Sequence, residues 1–342
     1  MYYLLHSAEM ANDVVIHTDM LCQRPTALSR KRAAKISPPK QDPNPDMRRE
    51  ECLGCFPDKL AKVRPVRYLA ENTVVAVLNA APYLPYDQRV LFLYNDKEDV
   101  RTERLHAHQI QQIRPEDLYY PLKAGIELGT QFAKQPLHAI NPHRMVYGIN
   151  IGPLAGQSQP HIHSQYAWEL LVPDTAHCTI TRNMLNLYYE ELGKAELILY
   201  SDDDIKIIAP WTPKGQYHVE LHFQNKYEIR HLDEKDLNIF AYFGWRLLQY
   251  YANNRKIFNV NIDLSSSPLH TQNEPVIVKF VPRVNMPAFY ELHGVDVVDT
   301  PPLDIAVALR NEFIFANEVA AARNYVPQQL ESLLLEPPIQ KQ

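Results

Sequence analysis

Glycine is scarce in this chain: 10 of 342 residues are glycine, against 27 prolines. The sequence has no apolar run near the ~20 residues that a membrane-spanning helix needs. It also has no basic excess, because 35 Lys and Arg stand against 40 Asp and Glu, a net charge of -5. This charge disfavours binding to a nucleic-acid polymer, whose phosphates must be neutralised by basic residues. With 46% hydrophobic and 22% charged residues, the composition predicts a soluble globular protein of about two domains, or one large one.

Cysteine is also rare, and the number and spacing of the cysteines indicate which roles they can have. The chain has only Cys22, Cys52, Cys55 and Cys178, which is too few for a disulfide-held scaffold in a protein of this length. The C-x-x-C spacing of Cys52 and Cys55 favours a metal or redox site. A reducing cytoplasm is therefore the expected location, and the first six residues lack the basic start and the length of a signal peptide.

Hydrophobic patterning predicts one order of strands and helices that occurs twice. The first occurrence has strands at 74–79, 89–94, 145–150 and 161–171, with helices at 117–133 and 180–192. The second has strands at 196–201, 205–210, 218–223, 258–263 and 276–281, with a helix from about Asp236 to Tyr251. A polar, Pro-rich segment at 23–50 predicts a surface connection.

Two stretches of the first occurrence align with stretches of the second. Residues 113–118 match residues 232–237 at an offset of 119 (232 minus 113), and 161–163 match 277–279 at an offset of 116 (277 minus 161). A duplicated strand–helix–strand module of the α+β class, with antiparallel sheets flanked by helices, explains this order. Domains at 1–195 and 196–342 follow from it. The alternative is that α+β proteins often repeat such orders by chance.

The most informative motif follows a glycine cluster. Three of the ten glycines fall within nine residues: Gly148, Gly152 and Gly156. Because alternate residues of a strand share a face, His161, His163 and Gln165 are expected to point the same way, ~6.6 Å apart. A glycine-containing loop lets backbone N–H groups approach an anion, and a neutral imidazole is a nucleophile near pH 7. The motif favours phosphoryl or nucleotidyl transfer; the alternative is a structural histidine pair.

The stretch from Asn150 to Gln165, N-x-G-x(3)-G-x-S-x-P-H-x-H-x-Q, resembles the active-site signature of the galactose-1-phosphate uridylyltransferases. These enzymes are the transferase branch of the histidine-triad superfamily. Residues 78–93 resemble the nucleotide-pocket hairpin of that superfamily, and residues 14–16 with 23–25 resemble its N-terminal strand and Arg-Pro turn. The resemblance covers most of the chain and implies two fused histidine-triad modules.

The resemblance implies a role for each matching residue. His163 would attack the α-phosphorus of a nucleoside diphosphate compound, and Gln165 would stabilise the covalent nucleotidyl-histidine. Hydrolytic relatives have a third histidine at the position of Gln165, and an amide cannot serve as a proton donor to a leaving group. Glutamine therefore favours transfer between phosphates. Nucleotide or phosphate binding would fall to Asn79, Asn150, Gly156, Gln157, Ser158 and Arg24.

A single structural zinc ion is also implied. Cys52 and Cys55 occupy the place of the family's zinc cysteines, and His161 would be a further ligand. The remaining ligand is His106 or His108, and the match to the family favours His108. Two cysteines and two histidines form a closed tetrahedral set. The family's second metal site is expected to be absent, because its histidine positions are Ile277 and Lys279 here, with no acidic residue near Thr179.

The acceptor end departs from the family. Residues 290–296 lack the expected acidic and amide pair for sugar hydroxyls, so the sequence predicts neither galactose specificity nor the base. One alternative is a phosphorylase that cleaves a nucleotide sugar or a dinucleoside polyphosphate. Another is a nucleotide-binding protein without turnover. The resemblance also implies a homodimer.

Overall fold

The computed structural model describes residues 5–10, 14–19, 25–29, 66–79, 88–93, 109–134, 143–157, 161–170, 182–267, 274–284 and 296–327. The elements in these ranges are β1 (Leu5–Met10), β2 (Val14–Asp19), β3 (Pro25–Ser29), β4 (Val66–Leu69), β5 (Val74–Leu78), β6 (Arg89–Leu93), α1 (Pro115–Ala133), β7 (His143–Ile151), β8 (Ser164–Leu170), α2 (Arg182–Lys194), β9 (Ile198–Ser201), β10 (Ile205–Ile208), β11 (Val219–Phe223), α3 (Glu234–Asn254), β12 (Val260–Ser265), β13 (Val276–Pro282), β14 (Asp296–Val298), α4 (Pro302–Glu312) and α5 (Phe315–Asn324).

The strands form two sheets. The smaller has the order β1-β2-β3-β14, in which β14 runs parallel to β3. The larger has ten strands in the order β4-β5-β6-β8-β7-β12-β13-β11-β10-β9, and each of its neighbouring pairs is antiparallel. The predicted α+β class is confirmed.

The larger sheet consists of two half-sheets with the same topology. In chain order, strands β4 to β8 occupy the same relative places as β9 to β13. Helix α1 connects β6 to β7, and α3 connects the equivalent strands β11 and β12. The halves join where β7 pairs with β12, with Asn150 opposite Asn261. The predicted duplication is thus present as one continuous sheet, and the domain boundary at 195 stays a prediction.

The 119-residue offset appears at the start of both long helices. Each helix follows a short 3-10 helix, Ile110–Gln112 or Ile229–His231. The backbone N–H of Arg114 donates to the Asp117 carboxylate at 2.8 Å, and the N–H of Asp233 donates to Asp236 at 2.9 Å. An acidic group three residues into a helix satisfies an N–H that lacks a helical partner. The two helices therefore begin in the same way.

Helices α1 and α3 cover one face of the larger sheet, here called the helix face. They contact each other, and Gly244 of α3 allows close packing, because a Cβ there would lie 3.1 Å from both Leu118 of α1 and Phe280 of β13. The core of this face spans both half-sheets. It is mostly aliphatic, and its largest fully buried side chains include Tyr147, Tyr166, Trp168, Phe223 and Phe280. One continuous core therefore supports both halves.

The predicted elements of the larger sheet are confirmed to within three residues at each end, but its strand β4 (Val66–Leu69) was not predicted. Three further differences concern β3 of the smaller sheet, helix α1 and strand β8. Residues 25–29, predicted as part of a loop, form strand β3 because they pair with β2 and β14. Helix α1 begins at Pro115 and not at residue 117, so Pro121 lies in its second turn. Strand β8 begins at Ser164, after both motif histidines. Within the described ranges, no helix is long and apolar enough to cross a membrane.

Candidate functional site

The polar groups of the sheet collect on the face opposite the helices, here called the far face. Because directly opposed residues of an antiparallel pair point to the same side, the register defines one row across all ten strands. The row is apolar at both ends and polar in the middle. In order it contains Val66, Val77, Val90, Gln165, Gly148, Asp263, Lys279, Glu220, Ile208 and Ile198.

A cavity of about 440 Å³ lies on the far face where the two half-sheets meet. Gly148 lies in the row between Gln165 and Asp263, and its missing side chain leaves a gap of about 10 Å between these two residues, two strand spacings. Both half-sheets contribute polar groups to the wall of the cavity: Gln88, Asn150 and Gln165 from the first, and Asn261, Asp263 and Arg283 from the second.

His161 and His163 lie beside this cavity, on the same face. Both rings contact Phe92 of β6, with centroids 5.5 Å away, and Phe92 belongs to a small apolar cluster with Val75 and Val77. His163 does not belong to the cavity wall; it lies two residues before Gln165, which does. The predicted shared face of His161, His163 and Gln165 is present, although both histidines precede the strand.

The His163 ring is held in one tautomer. Its Nδ1 is 2.8 Å from the carbonyl oxygen of His161, and since a carbonyl only accepts, Nδ1 carries the proton. In the neutral ring the lone pair is therefore on Nε2, the nitrogen that can act as a nucleophile. His163 is only 4% exposed, so this contact orients a buried side chain.

The glycine loop is closed by its own side chains and by the second half-sheet. Gly152 (φ 82°) and Gly156 (φ 85°) enclose a short 3-10 helix, Pro153–Ala155. The Gln157 side-chain oxygen accepts the Gly152 N–H at 2.5 Å, so this predicted phosphate ligand holds the loop. Asn259, which is buried, accepts the Leu154 N–H at 3.0 Å. These contacts anchor the described part of the loop at Gly152 and Leu154.

Gly152→Ala should disrupt this loop. A Cβ on Gly152 would overlap the Asn259 side chain and lie 2.9 Å from the carbonyl oxygen of Phe258, and the φ of +82° disfavours a side chain. We expect a loss of roughly 2 kcal/mol in unfolding free energy, measured by urea denaturation. Gly193→Ala is the matched control, because its Cβ would meet only Ile198, at 3.7 Å. Equal stability of the two variants would contradict this account.

Asn79 lies at the end of the β5–β6 hairpin. Its backbone N–H donates to the carbonyl oxygen of Gln88 at 3.0 Å, and Gln88 lines the cavity. The hairpin therefore brings this predicted nucleotide ligand toward the site. The predicted residues Arg24, Ser158, Cys52, Cys55 and His108, with the alternative His106, lie outside the described residues.

The zinc prediction is untested for the same reason, since His161 alone of the four ligands is described. Among the described residues, no three or more His, Cys, Asp or Glu side chains form a group that could hold a metal ion.

A buried charged cluster extends the polar row in the second half-sheet. His222 Nε2 contacts Glu220 at 2.9 Å, and His218 Nε2 lies 3.5 Å from it. His218 accepts the Lys214 N–H on Nδ1, and burial lowers its pKa to about 3. The pKa of Glu220 lies well below its usual value: burial opposes this, but the His222 hydrogen bond and nearby positive charge outweigh it. The carboxylate therefore stays charged between imidazole rings.

Sequence reasoning missed the second half-sheet's contribution to the site, namely Asn259, Asn261, Asp263 and Arg283. The signal was present in the stretch Asn259-Val-Asn261-Ile-Asp263. Its polar residues alternate with apolar ones, and alternation places all three polar side chains on one face. Only the pairing of β12 with β7 shows that this face carries the cavity.

Similar solved structures confirm the fold. An ADP-glucose phosphorylase from Arabidopsis thaliana with bound ADP-glucose is 18% identical, with a TM-score of 0.65, and the match covers 86% of this chain and 98% of that one. A GALT-like protein from Arabidopsis thaliana is 16% identical with a TM-score of 0.60, covering 86% and 97%. A uridylyltransferase mutant is 15% identical with a TM-score of 0.56, covering 90% and 97%. No family model and no curated protein matches the chain significantly.

These identities establish the fold alone. The chain has the fold shared by these phosphorylase, GALT-like and uridylyltransferase structures.

Proposed function

We propose that the protein is a nucleotidyltransferase that acts through a covalent nucleotidyl-histidine on His163. The observation that carries this proposal is the contact between His163 Nδ1 and the His161 carbonyl oxygen at 2.8 Å. It leaves Nε2 as the nucleophilic nitrogen of a ring held in a fixed orientation, next to a cavity lined by amide donors. Such fixed geometry is what nucleophilic catalysis requires.

The reaction proceeds in two displacements at phosphorus. The His163 Nε2 lone pair forms a bond to the α-phosphorus of a nucleoside diphosphate compound, and the bond from that phosphorus to the bridging oxygen breaks. The leaving group departs as a phosphorylated anion. A phosphate oxygen of the second substrate then attacks the same phosphorus and breaks the N–P bond, which regenerates the imidazole. Two separate displacements give ping-pong kinetics.

Gln165 suits this chemistry. Its side chain lines the cavity, next to the gap left by Gly148. An amide N–H can hold a phosphate oxygen and stabilise charge that develops there, but it supplies no proton to the leaving group. A phosphate leaving group needs none, because it is already stable as an anion. Glutamine at this position therefore supports transfer between phosphates.

The similar structures suggest the substrate class that we propose for this protein. One of them is an ADP-glucose phosphorylase with ADP-glucose bound, and another is a uridylyltransferase. We propose that the donor is a nucleotide sugar. The acceptor is a sugar 1-phosphate, or inorganic phosphate if the protein is a phosphorylase.

Intact-mass measurement after incubation with ADP-glucose, UDP-glucose, GDP-glucose and a dinucleoside polyphosphate tests the proposal. We expect the wild-type protein to gain the mass of one nucleoside monophosphate with one of these donors. Chasing the adduct with glucose 1-phosphate or with inorganic phosphate then separates a transferase from a phosphorylase. Binding of a nucleotide with no adduct from any donor would favour the nucleotide-binding protein without turnover.

We also propose that Cys52, Cys55, His108 and His161 bind one zinc ion. Two thiolates and two imidazoles make a tetrahedral donor set that zinc prefers, and a bound ion would fix the backbone of His161, on whose carbonyl oxygen the His163 ring depends. We expect about one zinc per chain in the wild type and a large loss in Cys52→Ser, measured by elemental analysis. Cys22→Ser is the control. Equal zinc in the wild type and Cys52→Ser would contradict the proposed zinc site.

The homodimer and the cytoplasmic location stay predictions.

A further inference from the structure

Three side chains connect the second half-sheet to the wall of the cavity. Arg283 Nε donates to Asn261 Oδ1 at 2.7 Å. Asn261 Nδ2 donates to Asn150 Oδ1 at 2.8 Å and to the carbonyl oxygen of Ala155 in the glycine loop at 2.7 Å. Arg283, Asn261, Asn150 and Ala155 all line the cavity. The contacts therefore reach from Arg283, the residue after β13, across the seam between the halves to Asn150, a predicted phosphate ligand.

The direction of each hydrogen bond in this series is fixed by its first member. A guanidinium donates and never accepts, so the side-chain oxygen of Asn261 must face Arg283. The Asn261 nitrogen then faces two acceptors, Asn150 Oδ1 and the Ala155 carbonyl. Because the Asn150 oxygen is occupied in this way, its Nδ2 points away from Asn261. That nitrogen lies 3.9 Å from where a Cβ of Gly156 would be, next to the glycine loop.

We propose that Asn261 and Arg283 are positioning residues that hold the Asn150 amide with its N–H groups toward the substrate phosphate. Without them the amide could rotate by half a turn and present its oxygen, which would repel a phosphate oxygen. This inference rests on the proposed function and adds residues that the nucleophile-bearing half-sheet does not supply. The half-sheet that lacks the histidine pair thus sets the orientation of a donor in the site.

Asn261→Asp tests this directly. A carboxylate of the same shape still accepts from Arg283 but has no N–H for Asn150. We expect the rate of adduct formation in a single turnover to fall about 100-fold, the typical effect of losing one donor to a developing phosphate charge. The surface variant Asn253→Asp, the same change on an exposed part of α3, should retain the wild-type rate. Retention of activity in a folded Asn261→Asp protein would overturn the inference.

A double variant separates positioning from general loosening of the loop. Once Asn150→Ala has removed the amide, adding Asn261→Asp should cost less than about 5-fold more, because residues that act through one another are strongly non-additive. Full multiplication of the two effects would mean that Asn261 acts independently of Asn150, which overturns the inference.

Arg283 variants decide the question if Asn261→Asp fails to fold. Lysine is also a pure donor, so Arg283→Lys should stay within about 5-fold of the wild-type rate, whereas Arg283→Gln, which can accept as well as donate, should lose about 10-fold. Equal rates of the two Arg283 variants would overturn the inference.

If the wild type forms no adduct, the proposed function fails, and the same variants are compared by their Kd for the nucleotide that binds. Wild-type protein that binds no nucleotide would overturn both.

Discussion

His163→Ala should abolish the nucleotidyl adduct and lower turnover by about 10⁴-fold or more, because the substitution removes the only atom that bonds to phosphorus. The fold should survive, since the hydrogen bond that is lost, from the ring Nδ1 to the His161 carbonyl oxygen, is worth roughly 1–2 kcal/mol. Intact mass after incubation with the active donor measures the adduct, and thermal melting measures the fold.

His231→Ala provides the control for this experiment. His231 is exposed, on the 3-10 helix before α3, and does not line the cavity. The control variant should form the adduct at the wild-type rate. An adduct of unchanged mass and rate in His163→Ala would show that another residue is the nucleophile, and the mechanism would have to be abandoned.

Glu220→Gln should lower the free energy of unfolding by about 3 kcal/mol, a larger loss than that expected for Gly152→Ala. The carboxylate accepts from His222 Nε2 at 2.9 Å and faces His218 Nε2 at 3.5 Å. A glutamine amide can offer its single oxygen to His222 only, so its N–H groups turn toward His218. The Nε2 of His218 carries a proton, because Nδ1 of that ring accepts the Lys214 N–H. Two buried N–H donors would then face each other. Urea denaturation at pH 7 measures the loss, and Glu190→Gln on the exposed side of α2 is the matched control.

The pH dependence of stability should change in the same variant. Folding lowers the pKa of Glu220 below its usual 4.5, so its stabilising effect is present above pH 4.5 and is lost as the pH falls below that value. Folding also lowers the pKa of His218 from 6.5 to about 3, so the unfolded chain takes up this proton first and stability falls as the pH drops from 6.5 toward 3.

The Glu220 contribution should therefore make the stability of the wild-type protein fall more steeply below pH 4.5. Asp117, whose pKa is raised to about 7 by burial, acts in the opposite direction as the pH falls, but equally in both proteins. Glu220→Gln should lack the additional loss below pH 4.5. Identical pH profiles for the wild type and the variant would show that Glu220 is not charged in the folded protein.

The sequence alone predicted most of the larger sheet and its long helices. Two sequence signals are confirmed by the structure: the alternation of apolar residues in stretches such as 219–223, and the match of residues 113–118 to 232–237, which are equivalent helix starts. It also predicted the shared face of His163 and Gln165, because alternation within one segment requires no knowledge of its neighbours. Strand β3 was missed because no signal within residues 25–29 indicates its pairing. One of its partners, β2, precedes it closely in the sequence, but the other, β14, lies more than 260 residues later.

By itself the sequence predicted the strands and long helices of the larger sheet, because hydrophobic patterning is a local signal, and it predicted their repetition from the recurring order of elements. The candidate nucleophile followed from the H-x-H-x-Q motif and its resemblance to a known family. Only the tertiary structure decided that β7 pairs with β12 and places Asn261 opposite Asn150, 111 residues away. The pairing of β12 with β13 brings Arg283, which follows β13, next to Asn261 and so fixes which end of the Asn150 amide faces the loop. Such orientation depends on donors and acceptors from distant strands, whose register is set by the packing of the whole sheet.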